Sequence, residues 1–136
     1  MTYPVCEIPG IGPDTVDRLK SAGIRTTTRL LDAARGPKER KLLAEVTGFD
    51  EKQILCWANT SDRMRIKGVG ADYACLLQAA GVDTVKELKY RNPAKLARAM
   101  AEANTKRKLA RVLPSDRAVE RWIDQAKRLQ LKITYR

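Results

Sequence analysis

The chain has 136 residues, enough for one domain or for two small halves that share a core. Hydrophobic residues make up 43% of it, too many for a disordered basic tail, and no apolar stretch is long enough to cross a bilayer. The net charge of +11 is uneven, because residues 1–65 carry +2 and residues 66–136 carry +9, which favours polyanionic partners over neutral ones.

Proline, glycine and threonine positions divide the first half into four predicted helices. The first begins at Pro13, whose missing N–H costs nothing in a first helical turn, and ends before Gly23. The second follows a threonine cap at residues 26–28. The third begins at Pro37, and a capping-box pattern opens the fourth at Asp50. The first half is therefore predicted to be helical throughout.

A short glycine turn occurs twice, as Ile-Pro-Gly-Ile-Gly at residues 8–12 and as Ile-Lys-Gly-Val-Gly at residues 66–70. These segments are termed the first and the second hairpin. A shift of 58 positions superimposes them, and the same shift aligns residues downstream: Leu19 with Leu77, Gly23 with Gly81, and Thr26 with Thr84. Self-similarity at a fixed offset indicates one supersecondary unit used twice.

The second half is predicted to repeat the helices of the first. One helix ends at Gly81, a second is capped by Thr84, and a third begins at Pro93. A long final helix starts at Pro114, and residues 106–112 form a basic insertion relative to the first half.

Each hairpin, together with the helix after it, resembles the second half of a helix-hairpin-helix motif. The residues that carry this resemblance are Gly10, Gly12, Val16, Leu19 and Gly23 in the first copy and Gly68, Gly70, Ala74, Leu77 and Gly81 in the second. The whole chain resembles a bacterial family of tandem helix-hairpin-helix proteins catalogued as a domain of unknown function. The resemblance implies an all-helical fold with no known chemistry. In the motif's DNA-binding members, backbone amides lie against phosphates without reading base sequence.

We therefore predict an all-α fold of two helix-hairpin-helix repeats, residues 1–65 and residues 66–136, related by a pseudo-twofold axis and sharing one core. Nothing in the sequence demands a sheet. Residues 131–135 could form one short strand beside residues 2–5.

The first hairpin has no helix before it, which predicts how the ends of the repeats pack. We expect the C-terminal helix, residues 115–130, to close on the first hairpin, as residues 50–60 would serve the second. Trp122 would then lie against the first hairpin and Trp57 against the second.

The hairpins are candidate phosphate-binding sites, because glycines let the backbone approach a ligand and the following helix presents unpaired amides. The second hairpin is preferred, since it lies in the more basic half and is flanked by Arg63 and Arg65. The candidate nucleic-acid-binding residues are Lys67, Gly68, Val69, Gly70, Lys106, Arg107, Lys108, Arg111, Gly10 and Gly12. A purely structural turn and a solvated basic loop are the alternative interpretations.

One feature argues against phosphate binding at these turns. Phosphate-binding members of the motif family often place Lys or Arg just after the hairpin, where this chain has Asp14 and Asp72. A carboxylate in the first turn stabilises the helix but repels a phosphate. The first hairpin, which is flanked by Glu7 and Pro9 instead of basic residues, is expected to be mainly structural.

The sequence predicts a binding protein and not an enzyme. The chain has no histidine and only three scattered cysteines, so we expect no metal site, no cofactor and no catalytic residues, and a reducing cytoplasm as the location. Aromatic residues are too few for stacking on single strands, which favours backbone contacts with duplex or junction DNA. The alternative is a helical protein-interaction module that uses the hairpins only as architecture. No signal peptide or membrane partner is expected.

Overall fold

The computed structural model describes residues 2–135, and the predicted all-α class is confirmed for these residues. They form a short 3₁₀ turn and eight α-helices and contain no strand. The 3₁₀ turn is Val5–Glu7, and the helices are α1 (Pro13–Ser21), α2 (Thr27–Ala33), α3 (Pro37–Thr47), α4 (Glu51–Arg63), α5 (Ala71–Ala79), α6 (Val85–Leu88), α7 (Pro93–Arg107) and α8 (Asp116–Arg128).

The helices begin where the local sequence signals place them. Three of them have proline in the first turn, where a missing N–H leaves no hydrogen bond unmade. The side chain of Thr26 accepts a hydrogen bond from the amide of Arg29, and Thr84 forms a full capping box with Glu87 at α6. The side chain of Ser115 caps α8 by accepting a hydrogen bond from the amide of Ala118.

The chain divides into two compact units. Unit 1 contains the chain up to Asp62 together with the segment from Lys132 onward, and unit 2 contains Arg63–Leu131. The C-terminal segment thus belongs to the same unit as the N-terminal half of the chain. Unit 2 contains 16 Lys and Arg residues against 7 Asp and Glu residues, so it carries +9 of the net charge of +11.

Unit 1 encloses an aliphatic core around one tryptophan. Trp57 of α4 is 6% exposed, and Phe49 from the α3–α4 connection packs edge-on against it, with ring centroids 5.0 Å apart. The other buried apolar residues of this core come from the N-terminal segment and α1–α4: Val5, Ile8, Val16, Leu19, Ile24, Leu30, Leu31, Ala34, Leu43, Ile54 and Ala58.

Unit 2 is built in the same way around α5–α8. Helix α8 packs against α6 and α7, and α7 also packs against α5. Trp122 of α8 is 3% exposed, and Tyr73 of α5 covers it at a centroid distance of 5.3 Å. Each unit therefore has its own buried tryptophan with an aromatic partner.

The prediction that each tryptophan packs against the hairpin of the other repeat is wrong. Trp57 belongs to the core of the unit that contains the first hairpin. Helix α8, predicted to close on the first hairpin, instead packs under the second one, where the amide of Lys67 bonds to the side chain of Gln125. The short 3₁₀ turn Val5–Glu7 precedes the first hairpin, so no distant helix is needed to lead into it.

The predicted strand at residues 131–135 is also absent from the described part of the chain. The N-terminal segment pairs with the residues before α2, through a bridge between Pro4 and Thr26. Residues 132–135 run across unit 1 instead, where the amide of Thr134 donates to the carbonyl oxygen of Arg35 at 2.7 Å. The buried Arg40 donates to the carbonyl oxygen of Thr134 at 2.8 Å.

Candidate nucleic-acid interface

The two hairpins have the same local backbone. Gly10 and Gly68 adopt left-handed φ angles of +82° and +96°, which a residue with a β-carbon rarely adopts. In each hairpin the amide after this glycine donates to the carbonyl of the leading isoleucine, at 3.3 Å in the first and 3.0 Å in the second. The second glycine of each pair is the extended N-cap of the next helix. The sequence repeat is thus a repeat of backbone geometry.

The helix after the second hairpin begins with amides that no side chain caps. Gly70 is the N-cap of α5 and has no side chain to accept from the first-turn amides of Ala71, Asp72 and Tyr73. Helix α1 also lacks a side-chain cap, but it begins with Pro13, which has no N–H. The second hairpin therefore presents one more backbone donor than the first.

Side chains of helix α8 hold the second hairpin in place. The amide of Lys67 donates to Oε1 of Gln125 at 2.9 Å, and Nε2 of Gln125 donates back to the carbonyl oxygen of Lys67 at 3.2 Å. A β-carbon built on Gly68 would lie 3.1 Å from Nε1 of Trp122, so only glycine fits there without a shift. The backbone of Lys67 is fully bonded, while its side chain is exposed to solvent.

Two adjoining grooves border the second hairpin. An open groove of about 420 Å³ brings Arg111 together with the hairpin glycines, and its lining is Gly68, Gly70, Ala71, Asp72, Tyr73, Ala110, Arg111 and Val112. The neighbouring groove, of about 510 Å³, shares Gly68 and Tyr73 with the first and adds Lys67 and Arg121. The structure therefore places three exposed cations, Lys67, Arg111 and Arg121, around one hairpin.

The remaining basic residues of the insertion lie elsewhere in unit 2. Lys106 and Arg107 form the end of α7 and line a different hollow of about 310 Å³ with Glu102. Lys108 follows them in a left-handed conformation, with φ of +49°. The predicted basic insertion is thus divided between the end of a helix and a loop, and its member Arg111 lines the hairpin groove.

Several residues near the second hairpin are not available to a ligand. Val69 is fully buried, and its amide donates to the carbonyl oxygen of Ile66 at 3.0 Å, so it offers no group to a ligand. Arg63 is 1% exposed and donates to the carbonyl oxygens of Ala74 and Asp83, at 3.1 and 2.7 Å. Because a buried arginine bonded to carbonyls ties helices together, Arg63 is a structural residue.

Arg65 is also engaged within unit 2, since its guanidinium donates to the carbonyl oxygen of Gln130 at 2.9 Å. The predicted flanking charges Arg63 and Arg65 are thus both engaged within unit 2, whereas Arg121, which lines the groove, is not among the residues predicted from the sequence. Arg121 lies one residue before Trp122 on α8, so a prediction that α8 packs against the second hairpin would also have placed Arg121 near that hairpin.

The first hairpin has a different environment. Gly10 and Gly12 are exposed, and a β-carbon on either would meet nothing within 4 Å. Pro9 stands where the second hairpin has Lys67. Asp14, in the first turn of α1, is paired with Arg18 at 3.6 Å. The first hairpin therefore combines an exposed backbone with a partly neutralised carboxylate and no adjacent lysine.

Among residues 2–135, no group of three or more His, Cys, Asp or Glu side chains is placed to hold a metal ion. In the same stretch, no helix has the length and apolar character needed to cross a membrane.

A family model described as Domain of unknown function (DUF4332) matches residues 9–129, which is most of the chain. No curated protein and no solved structure matches it. The chain therefore belongs to the DUF4332 family.

Proposed function

We propose that this member of the DUF4332 family is a non-enzymatic protein that binds the DNA backbone without reading base sequence. The contact surface is the second hairpin with its adjoining grooves, used as in the helix-hairpin-helix motifs that both hairpins resemble. The observation that carries the proposal is the groove in which Arg111 lies beside Gly68, Gly70 and the uncapped start of α5.

The chemistry of this groove suits a phosphate group. Free amides at the start of a helix point toward an anion, and the helix dipole adds a favourable field. Arg111 and Lys67 bring side-chain cations to the same turn, and unit 2 as a whole carries a net charge of +9. Asp72 opposes this, but an exposed carboxylate a few ångströms from a phosphate costs only about 1 kcal/mol in water.

The aromatic rings at the grooves support backbone binding rather than stacking on single-stranded bases. Tyr73 is packed against Trp122, and its hydroxyl donates to the carbonyl oxygen of Val112 at 2.8 Å. Trp122 is buried beneath the hairpin. Because Trp122 is buried and Tyr73 is held against it, these rings favour backbone binding over the base stacking typical of single-strand binders.

A salt series with duplex DNA of random sequence tests this proposal. Backbone binding predicts that log K falls linearly with log salt, with a slope of about 0.9 for each phosphate neutralised. Three groove cations predict a slope of roughly 3 or more. Absence of binding even at low salt would contradict the proposal, and so would a strong dependence on base sequence.

A second candidate function is protein interaction through unit 1. Leu42 and Val46 lie one turn apart on α3, and they are 63% and 66% exposed. Two large apolar side chains on one exposed helix face are typical of a contact surface. If this is the function, L42S/V46S abolishes binding to the partner while the hairpins serve only as architecture, and DNA binding is absent in the salt series.

A further inference from the structure

The loop between α7 and α8, residues 108–115, presents apolar side chains to solvent. Val112 is 70% exposed and Leu113 is 45% exposed. They are adjacent in sequence and follow Arg111 directly, so a charged and an apolar surface meet in this loop.

Hydrogen bonds fix this loop at both the backbone and the side-chain level. The side chain of Asn104 accepts from the amide of Ala110 and donates to its carbonyl oxygen, both at 2.9 Å. The hydroxyl of Tyr73 donates to the carbonyl oxygen of Val112 at 2.8 Å. The apolar pair is therefore held in position next to the hairpin.

The matching connection in unit 1 shows that this exposure is not required by the fold. There the connection is only residues 48–50, and Phe49 packs inward against Trp57. In unit 2, Tyr73 of α5 takes the place against Trp122, at 5.3 Å. The longer loop is thus released from covering the core, and Val112 and Leu113 point outward.

Charge complementarity favours a polyanion as the partner of this apolar pair. Val112 lines the same groove as Arg111 and the hairpin glycines, while Leu113 lines the groove that contains Lys67 and Arg121. A purely apolar protein face would have to leave these cations desolvated and unpaired, which is unfavourable. A nucleic acid offers phosphates to the cations and base faces to the apolar pair.

We propose that Val112 and Leu113 form an apolar wedge that enters a base step whose pairing is already broken. This inference rests on the DNA binding proposed above and deepens it, because it names the form of DNA preferred. Aliphatic side chains inserted between base steps must unstack them, and this unstacking costs least where the bases are already unpaired. The protein therefore prefers duplex DNA that contains locally unpaired bases.

Fluorescence anisotropy on two duplexes of equal length and equal phosphate number tests the wedge. One duplex is fully paired, and the other has three consecutive mismatches at its centre. We expect the wild-type chain to bind the mismatched duplex roughly tenfold more tightly, the effect of burying about one aliphatic side chain. In V112S/L113S we expect the ratio of the two affinities to fall below about twofold, because the remaining cations contact phosphates that both duplexes share.

Matched controls separate this wedge from other causes. L42S/V46S removes another exposed apolar pair, in unit 1, and leaves the preference unchanged. V112S alone, at the more exposed position, lowers the preference without disturbing the fold, which circular dichroism checks. A 2-aminopurine placed in the mismatched step brightens on binding of the wild-type chain and not of V112S/L113S.

The outcomes distinguish the two proposals. If the wild-type chain does not bind DNA even at low salt, the proposed function is overturned, and the wedge with it. Binding without a preference for mismatches, or a preference that survives in V112S/L113S, overturns the wedge alone. If V112S/L113S loses the same affinity for both duplexes, the wedge is also overturned. If the wild-type chain self-associates and V112S/L113S does not, the loop is a protein contact and not a DNA wedge.

Discussion

The first and second hairpins differ in what surrounds them far more than in their own backbone. Gly10 and Gly68 share a left-handed conformation, and each hairpin leads into a helix that starts at a glycine. The second hairpin, however, lies on Trp122, has Lys67 within it and faces Arg111 across a groove. The backbone of the turn is thus repeated, whereas the charge and packing around each turn depend on the residues that the rest of its unit brings to it.

The largest expected effect concerns the two tryptophans. W122A leaves a large cavity beneath the second hairpin, and we expect it to lower the free energy of unfolding by about 3–5 kcal/mol. Hydrogen exchange should show lost protection in α5–α8, while α1–α3 remain protected. W57A is the matched control, with the opposite pattern. Loss of protection across the whole chain in both variants would show that the units do not fold separately.

Next in size are the two left-handed glycines. G68A forces a β-carbon to within 3.1 Å of Nε1 of Trp122 and also strains the backbone, so we expect a loss of about 2–3 kcal/mol. G10A strains only the backbone, since nothing lies within 4 Å, and should cost about 1 kcal/mol. Chemical denaturation measures both. Equal losses would mean that Trp122 moves aside freely.

A charge reversal compares the hairpins as binding sites. K67E places an anion at the groove of the second hairpin, and we expect DNA affinity to fall roughly tenfold at low salt. K20E makes the same change in net charge on α1 and should lower affinity less than about twofold. Titrations at two salt concentrations give both values. Similar losses in the two variants would indicate diffuse attraction by the whole protein.

The smallest effect is expected from the two first-turn carboxylates. D72N removes a charge that opposes phosphate in the second hairpin, so DNA affinity should rise about twofold to threefold. D14N should leave affinity unchanged. Each change should lower stability by about 0.3–1 kcal/mol through the helix dipole, and D14N also loses the pair with Arg18. Binding and thermal unfolding of both variants check this, and a rise in affinity with D14N would point to the first hairpin instead.

Local signals in the sequence were sufficient to predict the helices and their order. Pro13, Pro37 and Pro93 each stand in a first helical turn, and Thr84 and Ser115 cap the helices that follow them. These signals act through a residue's own φ angle or a hydrogen bond three residues away, so they can be read without knowing the fold.

The packing partners of those helices could not be predicted in this way. An amphipathic helix shows which face is buried but not what it is buried against, so the sequence does not reveal that Trp57 packs in the unit of the first hairpin and Trp122 against the second hairpin. The burial of Arg63 cannot be predicted locally, because its guanidinium is bonded to the carbonyl oxygens of Ala74 and Asp83, which are 11 and 20 positions away. The position of Arg111 beside the hairpin depends likewise on a loop held by Asn104.

The short segment of residues 132–135 has a consequence for the order in which the chain assembles. Its bond from Thr134 to Arg35 spans 99 positions, and the whole of unit 2 lies between the two residues. Unit 2 can therefore complete its own contacts before the hydrogen bonds of residues 132–135 with unit 1 form. Closing so long a loop costs conformational entropy that local contacts avoid. We therefore expect unit 2 to fold before residues 132–135 dock onto unit 1, and this docking to be the final step of folding.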